Sequence, residues 1–485
     1  MATEAKTARA EWGSRFGFLM AMIGAMVGVG NIWRFPFVTG ENGGGAFILA
    51  FLILLFLLMI PGLMAEVALG KYTGKGIIGA IRDATGPGTA AGLGVIVLIV
   101  NIALMTYYSP VVGWTLYYMI HSYLFTFTGA GFEAGAFLGA LFDNPVLMIA
   151  LHTAVMAIIA SVLYLGISNG VERLVVYAVP ALVLGLAAIA IRAVTLPGAS
   201  EGLVFTFTVQ WEYLTFSQTW IEALAQALFS TGLGWGIAIT VGSYLREYDD
   251  APLGGGVFTA VGEASIGVLA AFAIFPLVFA FGVDPASGAG LTFEALPQVF
   301  IEMPGGAIWA IVFFTGFFLA AITSAVVITE VGVTTVSEET RLSRNQSVLG
   351  VCGVIWLFGL PSAYSVEILE FGDDTFALWG LPLATIAILV AVGWFMGPER
   401  LRVLSLNQNA GIHVGRWWNP LVKYVVPLTM VFIMAVFAWD FRGEDIMIAG
   451  MVMLVGVPLI SFAVMRYVDG RAEPQTQAEA TGGDD

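Results

Sequence analysis

Two apolar segments of this chain are interrupted by glycines at their centres: MAMIGAMVGVGNIWRF, Met20 to Phe35, and AQALFSTGLGWGIAI, Ala225 to Ile239. In hydrocarbon, an unpaired backbone amide or carbonyl costs on the order of several kcal/mol. An unwound stretch at mid-depth therefore survives only where it lines a cavity. Paired interruptions in corresponding halves of a chain point to the central binding site of a carrier.

That argument requires a membrane protein, and composition supplies one. Charged residues are 11% of the chain, against about 25% in soluble proteins. Apolar runs of spanning length predict twelve transmembrane helices, at roughly 12–37, 41–69, 88–126, 145–166, 170–193, 217–245, 256–283, 305–337, 346–362, 374–396, 419–440 and 444–468. The runs are continuous, whereas barrel strands alternate apolar and polar residues, so the fold class is an all-α polytopic membrane protein. With the N-terminus inside, only Arg34, Arg192 and Arg442 of 19 Lys and Arg fall outside. This asymmetry predicts a multi-pass cell-membrane protein with both termini cytoplasmic.

The interruptions fall in spans one and six. Their spacing predicts a 5+5 inverted repeat, repeat one over about 12–193 and repeat two over about 217–396, with spans eleven and twelve appended at about 419–468. The whole of 12–468 reads as one transporter domain, between a cytoplasmic segment 1–11 and an acidic, disordered tail 469–485. One cysteine, Cys352, excludes a disulfide framework. Scattered histidines and no HExxH motif argue against a metal enzyme.

Gly24, Gly28 and Gly30 permit a non-helical backbone in span one. Amides near Gly28–Gly30 would then form a positive helix end suited to a carboxylate. Freed carbonyls and the Asn31 amide oxygen suit a small hard cation. Close helix packing through Gly-x-x-x-Gly is the competing reading of span one alone. The matching Ser230-Thr231-Gly232-Leu233-Gly234 of span six favours a site. In span eight, Ala320, Thr323 and Ser324 share one helix face and offer neutral oxygens to a cation, although such hydroxyls commonly bond back to their own backbone.

Intramembrane ionisable groups default to a functional role. Glu66 in span two is expected to hold a backbone amide of an unwound segment, and Glu263 lies in span seven. Arg34 lies just outside the first break, and Asp373 and Asp374 are placed at the outer start of span ten, where Arg34 is expected to pair with one of them. Tyr107 and Tyr108 offer phenols from span three, with packing as the plainer alternative.

These residues together resemble the neurotransmitter:sodium symporter family, whose bacterial and archaeal amino-acid transporters include the leucine-transporter type. The resemblance runs from about Arg9 to span twelve and is strongest in WGSRFGFLMAMIGAMVGVGNIWRFPF, Trp12–Phe37, followed by ENGGGAF, Glu41–Phe47. It implies a substrate site formed by Val29, Gly30, Leu104, Tyr108, Phe229, Ser230, Gly232, Trp235, Ala325 and Ile328. It implies a first sodium site at Met26, Asn31 and Ser230, with Glu263 either a ligand or a built-in charge replacing chloride, because span seven lacks the family's asparagine. A second sodium site follows at Gly24, Val27, Ala320, Thr323 and Ser324. The resemblance also implies an outer gate of Arg34 with Asp373, supported by Gln226 and capped by Phe229. The implied inner gate is Arg9 with Glu338, near Trp12, Ser243 and Tyr244.

Gly28 stands where monoamine members of that family carry an acid, which leaves room for an amino acid's own carboxylate. An uncharged pocket disfavours charged side chains. The expected function is sodium-coupled import of a small neutral hydrophobic amino acid by alternating access, independent of chloride. The alternative is a sodium-coupled carrier of another zwitterionic or amine solute. Two sodium ions, no organic cofactor and no nucleic acid are expected. A channel would need a continuous polar ring, and an intramembrane enzyme would need a buried nucleophile–base pair; neither is visible.

Overall fold

The computed structural model describes residues 12–86, 92–128, 131–245, 250–288, 290–440 and 445–466. Ten helices among them are long and apolar enough to cross a membrane: Gly45–Thr73, Gly92–Tyr123, Pro145–Tyr164, Ile167–Val194, Gly254–Ala280, Gly306–Glu339, Arg344–Tyr364, Val366–Met396, Trp418–Trp439 and Asp445–Arg466. They are spans two to five and seven to twelve. The remaining two are the broken spans, whose halves are each too short to cross a membrane.

Span one begins where Ser14 accepts a hydrogen bond from the Gly17 amide, a side-chain N-cap. Its first half, Arg15–Met26, ends at Val27, whose ψ of 101° leaves the helical region and releases the backbone. The second half, Gly30–Glu41, departs at 58°. Span six runs Ser217–Thr231 and resumes at Ile237–Gly242. Between the halves, Gly232, Gly234 and Gly236 take φ of +64°, +86° and +74°, values strained for any residue with a Cβ. The breaks thus open the first span of each five-span repeat, and spans eleven and twelve follow.

Small residues bring the bundle together. A Cβ on Gly70 of span two would collide with the Ile239 carbonyl, and one on Gly242 would lie 2.8 Å from the Val67 carbonyl. Span two and the inner half of span six therefore touch backbone to backbone, which only glycine allows. Span eight packs along spans three and five and against the first half of span one.

Two connections carry short helices of their own, and the start of span ten is corrected. The segment between spans five and six folds into the helix Ala199–Phe207, and that between seven and eight into Leu296–Glu302. Span ten starts at Val366, where Ser365 caps the Ile368 amide, so Asp373 and Asp374 lie about two turns inside it rather than at its start. Four acidic residues, Glu367, Glu370, Asp373 and Asp374, interrupt the apolar pattern of that first stretch.

Candidate functional site

The first break is held by three neighbours. The Gly28 amide donates to Asn31 Oδ1 (3.2 Å) and the Val29 amide to the Tyr108 hydroxyl (3.2 Å). That hydroxyl lies 2.6 Å from Ser324 Oγ of span eight. A Cβ on Gly28 would collide with the Tyr108 hydroxyl and lie 2.6 Å from Ser324 Oγ. Spans one, three and eight therefore converge on one glycine.

The second break is held from span two: Glu66 Oε1 accepts the Gly234 amide at 2.8 Å. Asn101 donates to the Trp235 carbonyl (3.0 Å), and Gln226 Nε2 donates to the Gly30 carbonyl (3.1 Å), tying the two breaks together. Five backbone groups at the two breaks, the amides of Gly28, Val29 and Gly234 and the carbonyls of Gly30 and Trp235, are thus met by side chains.

Asn31 donates from Nδ2 to Glu263 Oε1 at 2.7 Å, and both residues are fully buried. Glu263 Oε2 and Ser230 Oγ are buried, the two side chains lie beside each other, and neither atom makes a hydrogen bond of good geometry. Unmet buried oxygens are costly, and a small hard cation is the group that satisfies such a set. Asn31, Ser230 and Glu263 fit a sodium ion for that reason. Met26 borders the same cavity as Ser230.

At the other oxygen cluster, Thr323 Oγ1 donates to the carbonyls of Leu319 and Ala320 (2.9 Å each). Ser324 lies 3.1 Å from the Ala321 carbonyl and 3.3 Å from that of Ala320. Both hydroxyls bond back to their own helix, each oxygen has a second lone pair, and Ser324 faces Gly28 of span one. Gly24 lies flush against span five, where a Cβ would be 2.9 Å from Val179 Cγ2.

Between the breaks is a cavity of about 20 Å³. Gly30 and Tyr108 border it, with Phe229, Ser230, Gly232 and Trp235 of span six and Ile328 of span eight. Val29 borders an adjoining outer cavity of about 80 Å³, whereas Leu104 and Ala325 are buried but on neither wall.

The outer gate differs from the expected pairing. Arg34 donates to Glu222 (3.1 Å) and to Gln226 Oε1 (2.8 Å), and forms no ion pair with Asp373. Arg34 and Asp373 instead face each other across two outer cavities of about 70 and 80 Å³, above Phe229. Glu222 lies one helical turn from Gln226 on span six and reaches the guanidinium first.

The inner side is tightly closed. Trp12 donates to the Val241 carbonyl (3.1 Å) and meets Tyr244 edge-on at 5.9 Å. The Tyr244 hydroxyl contacts Thr334 (2.6 Å) and Glu330 (3.1 Å), and Arg344 clamps Glu330 with two 2.8 Å bonds. Ser243 Oγ bonds the Thr240 carbonyl (2.6 Å), and Glu338 accepts the Gly76 amide (2.6 Å). Arg9 lies outside the described residues. Glu172 accepts from the Gly13 amide (2.9 Å) and Ser14 Oγ (3.2 Å), anchoring the start of span one.

Sequence reasoning missed Glu222, Glu172 and the Glu330–Arg344 pair. Glu330 carried a usable signal, an acid inside the apolar run VVITEVGV. The other two sit near span ends, where acids are ordinary.

Residues 9–130 and 143–456 match the sequence model of the Sodium:neurotransmitter symporter family. The chain belongs to that family. An uncharacterized sodium-dependent transporter of Haemophilus influenzae is 32% identical over 448 residues, spanning 88% of this chain and 97% of its own. Another, from Bacillus subtilis, is 30% identical over 436 residues, 87% of this chain and 96% of that one. Among solved structures, MhsT in complex with L-phenylalanine superposes with a TM-score of 0.80 at 29% identity, covering 88% of this chain and 99% of MhsT. This symporter is therefore a sodium-dependent, multi-pass membrane transporter and not an enzyme.

Proposed function

We propose that this symporter imports a neutral, hydrophobic amino acid together with sodium by alternating access, without a requirement for chloride. The observation that carries the reading is the meeting of the two unwound spans, where Gln226 donates to the Gly30 carbonyl and Phe229 packs on Gly30, with the buried oxygens of Ser230 and Glu263 beside them. Amides of Val29 and Gly30 and the Tyr108 hydroxyl would take the substrate carboxylate, and carbonyls near Phe229 and Ser230 its amino group. The first sodium would sit among Met26, Asn31, Ser230 and Glu263. The second would sit among Gly24, Val27, Ala320, Thr323 and Ser324. A resident Glu263 carboxylate supplies the negative charge that an added chloride would otherwise provide. The L-phenylalanine bound by MhsT supports an amino-acid substrate. The reading places both termini in the cytoplasm, from the Lys and Arg asymmetry.

A cavity of about 20 Å³ holds no amino-acid side chain, so loading needs Phe229 and its neighbours to move. The half-buried Phe229 and the open cavities above it make the outer side the route of entry.

The test is uptake of radiolabelled leucine and phenylalanine into proteoliposomes. Uptake should need sodium, persist when gluconate replaces chloride, and collapse in the double variant Thr323→Ala, Ser324→Ala. Equal uptake in potassium overturns the coupling. A competition panel won by amines lacking a carboxylate would favour the alternative cargo.

A further inference from the structure

We propose that the indole N–H of Trp235 selects, among neutral amino acids of one size, those whose side chain carries a hydrogen-bond acceptor. This rests on reading the central cavity as an amino-acid site.

Trp235 is 3% exposed and borders that cavity. Its backbone is fully engaged: the amide donates to the Gly232 carbonyl at 3.1 Å and the carbonyl accepts from Asn101. Its Nε1, by contrast, is buried with no acceptor. The edge of the ring that carries this nitrogen lies beside the cavity wall. A Cβ built on Gly232, itself on the wall, would be 4.0 Å from Trp235 Cδ1, the carbon bonded to Nε1. Nearby wall residues are Phe229, Ile237 and Ile328, which offer no side-chain acceptor, and Met26, whose thioether is only a weak one.

Phe229 and Tyr108 meet the indole edge-to-face, at 5.6 and 6.5 Å between centroids. An N–H directed at a ring is a second-order contact and replaces little of a lost hydrogen bond. The other polar groups bordering the cavity are otherwise committed. The Tyr108 and Ser324 hydroxyls bond each other, and Ser230 Oγ belongs to the sodium cluster proposed above. The indole is the donor left over. A hydrocarbon side chain leaves it unmet, and an ether, carbonyl or hydroxyl oxygen satisfies it. Pockets that hold a donor discriminate against the analogue lacking the acceptor because their own buried group is then left unpaired.

The experiment uses the full chain in proteoliposomes, with sodium-driven leucine uptake competed by two isosteric pairs: O-methylserine against norvaline, and O-methylhomoserine against norleucine. Each pair exchanges one ether oxygen for a methylene. The ether-to-methylene affinity ratio is compared between the native protein and Trp235→Phe, which cancels the cost of desolvating the oxygen. The expected result is a ratio about three- to tenfold higher in the native protein for at least one pair, the worth of one net hydrogen bond. Equal ratios for both pairs overturn the proposal while leaving amino-acid transport intact. Absence of sodium-driven leucine uptake by the native protein overturns the underlying reading and this one with it. Should Trp235→Phe be inactive, β-(3-benzothienyl)alanine incorporated at 235 decides the matter, since it keeps the indole shape and lacks the N–H.

Discussion

Single atoms decide much at this centre. Gly28 faces the Tyr108 and Ser324 hydroxyls so closely that one methyl has nowhere to go. Gly28→Ala should cost at least about tenfold in uptake, the usual penalty for overpacking a fixed contact, while membrane insertion is retained. Uptake equal to the native level would show that the break is looser than its geometry implies. Glu263 poses the complementary case. Its Oε1 is met by Asn31, and its Oε2 is the oxygen that the proposed sodium would take. Glu263→Gln keeps the shape and removes the charge, so half-maximal uptake should need about tenfold more sodium or beyond. An unchanged sodium dependence would remove Glu263 from the ion site.

At the scale of elements, the twelve spans and both breaks were legible because continuous apolar runs and central glycines are local properties of a sequence. Glu66 was legible as well, since a buried acid beside an unwound segment has few other uses. Partner choice was not legible. Arg34 finds Glu222, 188 residues away, in place of Asp373, and nothing near either residue in the sequence announces which acid arrives first. Leu104 and Ala325, expected at the substrate site, are buried but do not border the cavity. The Arg34–Glu222 pair is partly exposed and so weak, which suits a gate. In Glu222→Gln, Arg34 should swing toward Asp373 and narrow the outer cavities. A cysteine at Ala377, which borders one of them, should then react up to about fivefold more slowly with an impermeant maleimide. Buried Cys352 stays silent in that assay. Faster labelling would contradict the arrangement. The turn between spans ten and eleven has its own lock: Arg402 and then Asn419 hydrogen-bond Glu399, holding its carboxyl down from 4.5 to about 2. Because the folded value lies below the unfolded one, this stabilisation is whole above about pH 4.5 and fades as pH falls toward 2. The difference in melting temperature between native protein and Glu399→Gln should be constant from neutral pH to about 5 and shrink below 4. A difference that persists at pH 3 without change would assign the effect to packing instead.

The whole molecule is asymmetric across the membrane. The face at the start of span one is fastened by Trp12, Tyr244, Glu330 and Arg344, and by Glu172, while the cavities bordered by Arg34 on the opposite side remain open. If sodium holds the protein in this state by joining spans one and eight, replacing sodium with potassium should slow labelling of Ala377→Cys severalfold. Labelling indifferent to sodium would mean the ions do not set the conformation. The unwound stretch of span six has a longer-range consequence. Gly232, Gly234 and Gly236 occupy backbone shapes that residues with a Cβ adopt only at a cost, so mutation most readily rewrites the letters between them. Of those two, Leu233 is packed against Gly62 and Trp235 looks into the chamber. A lineage drifting toward a new nutrient would therefore find, in this stretch, a single position free to vary.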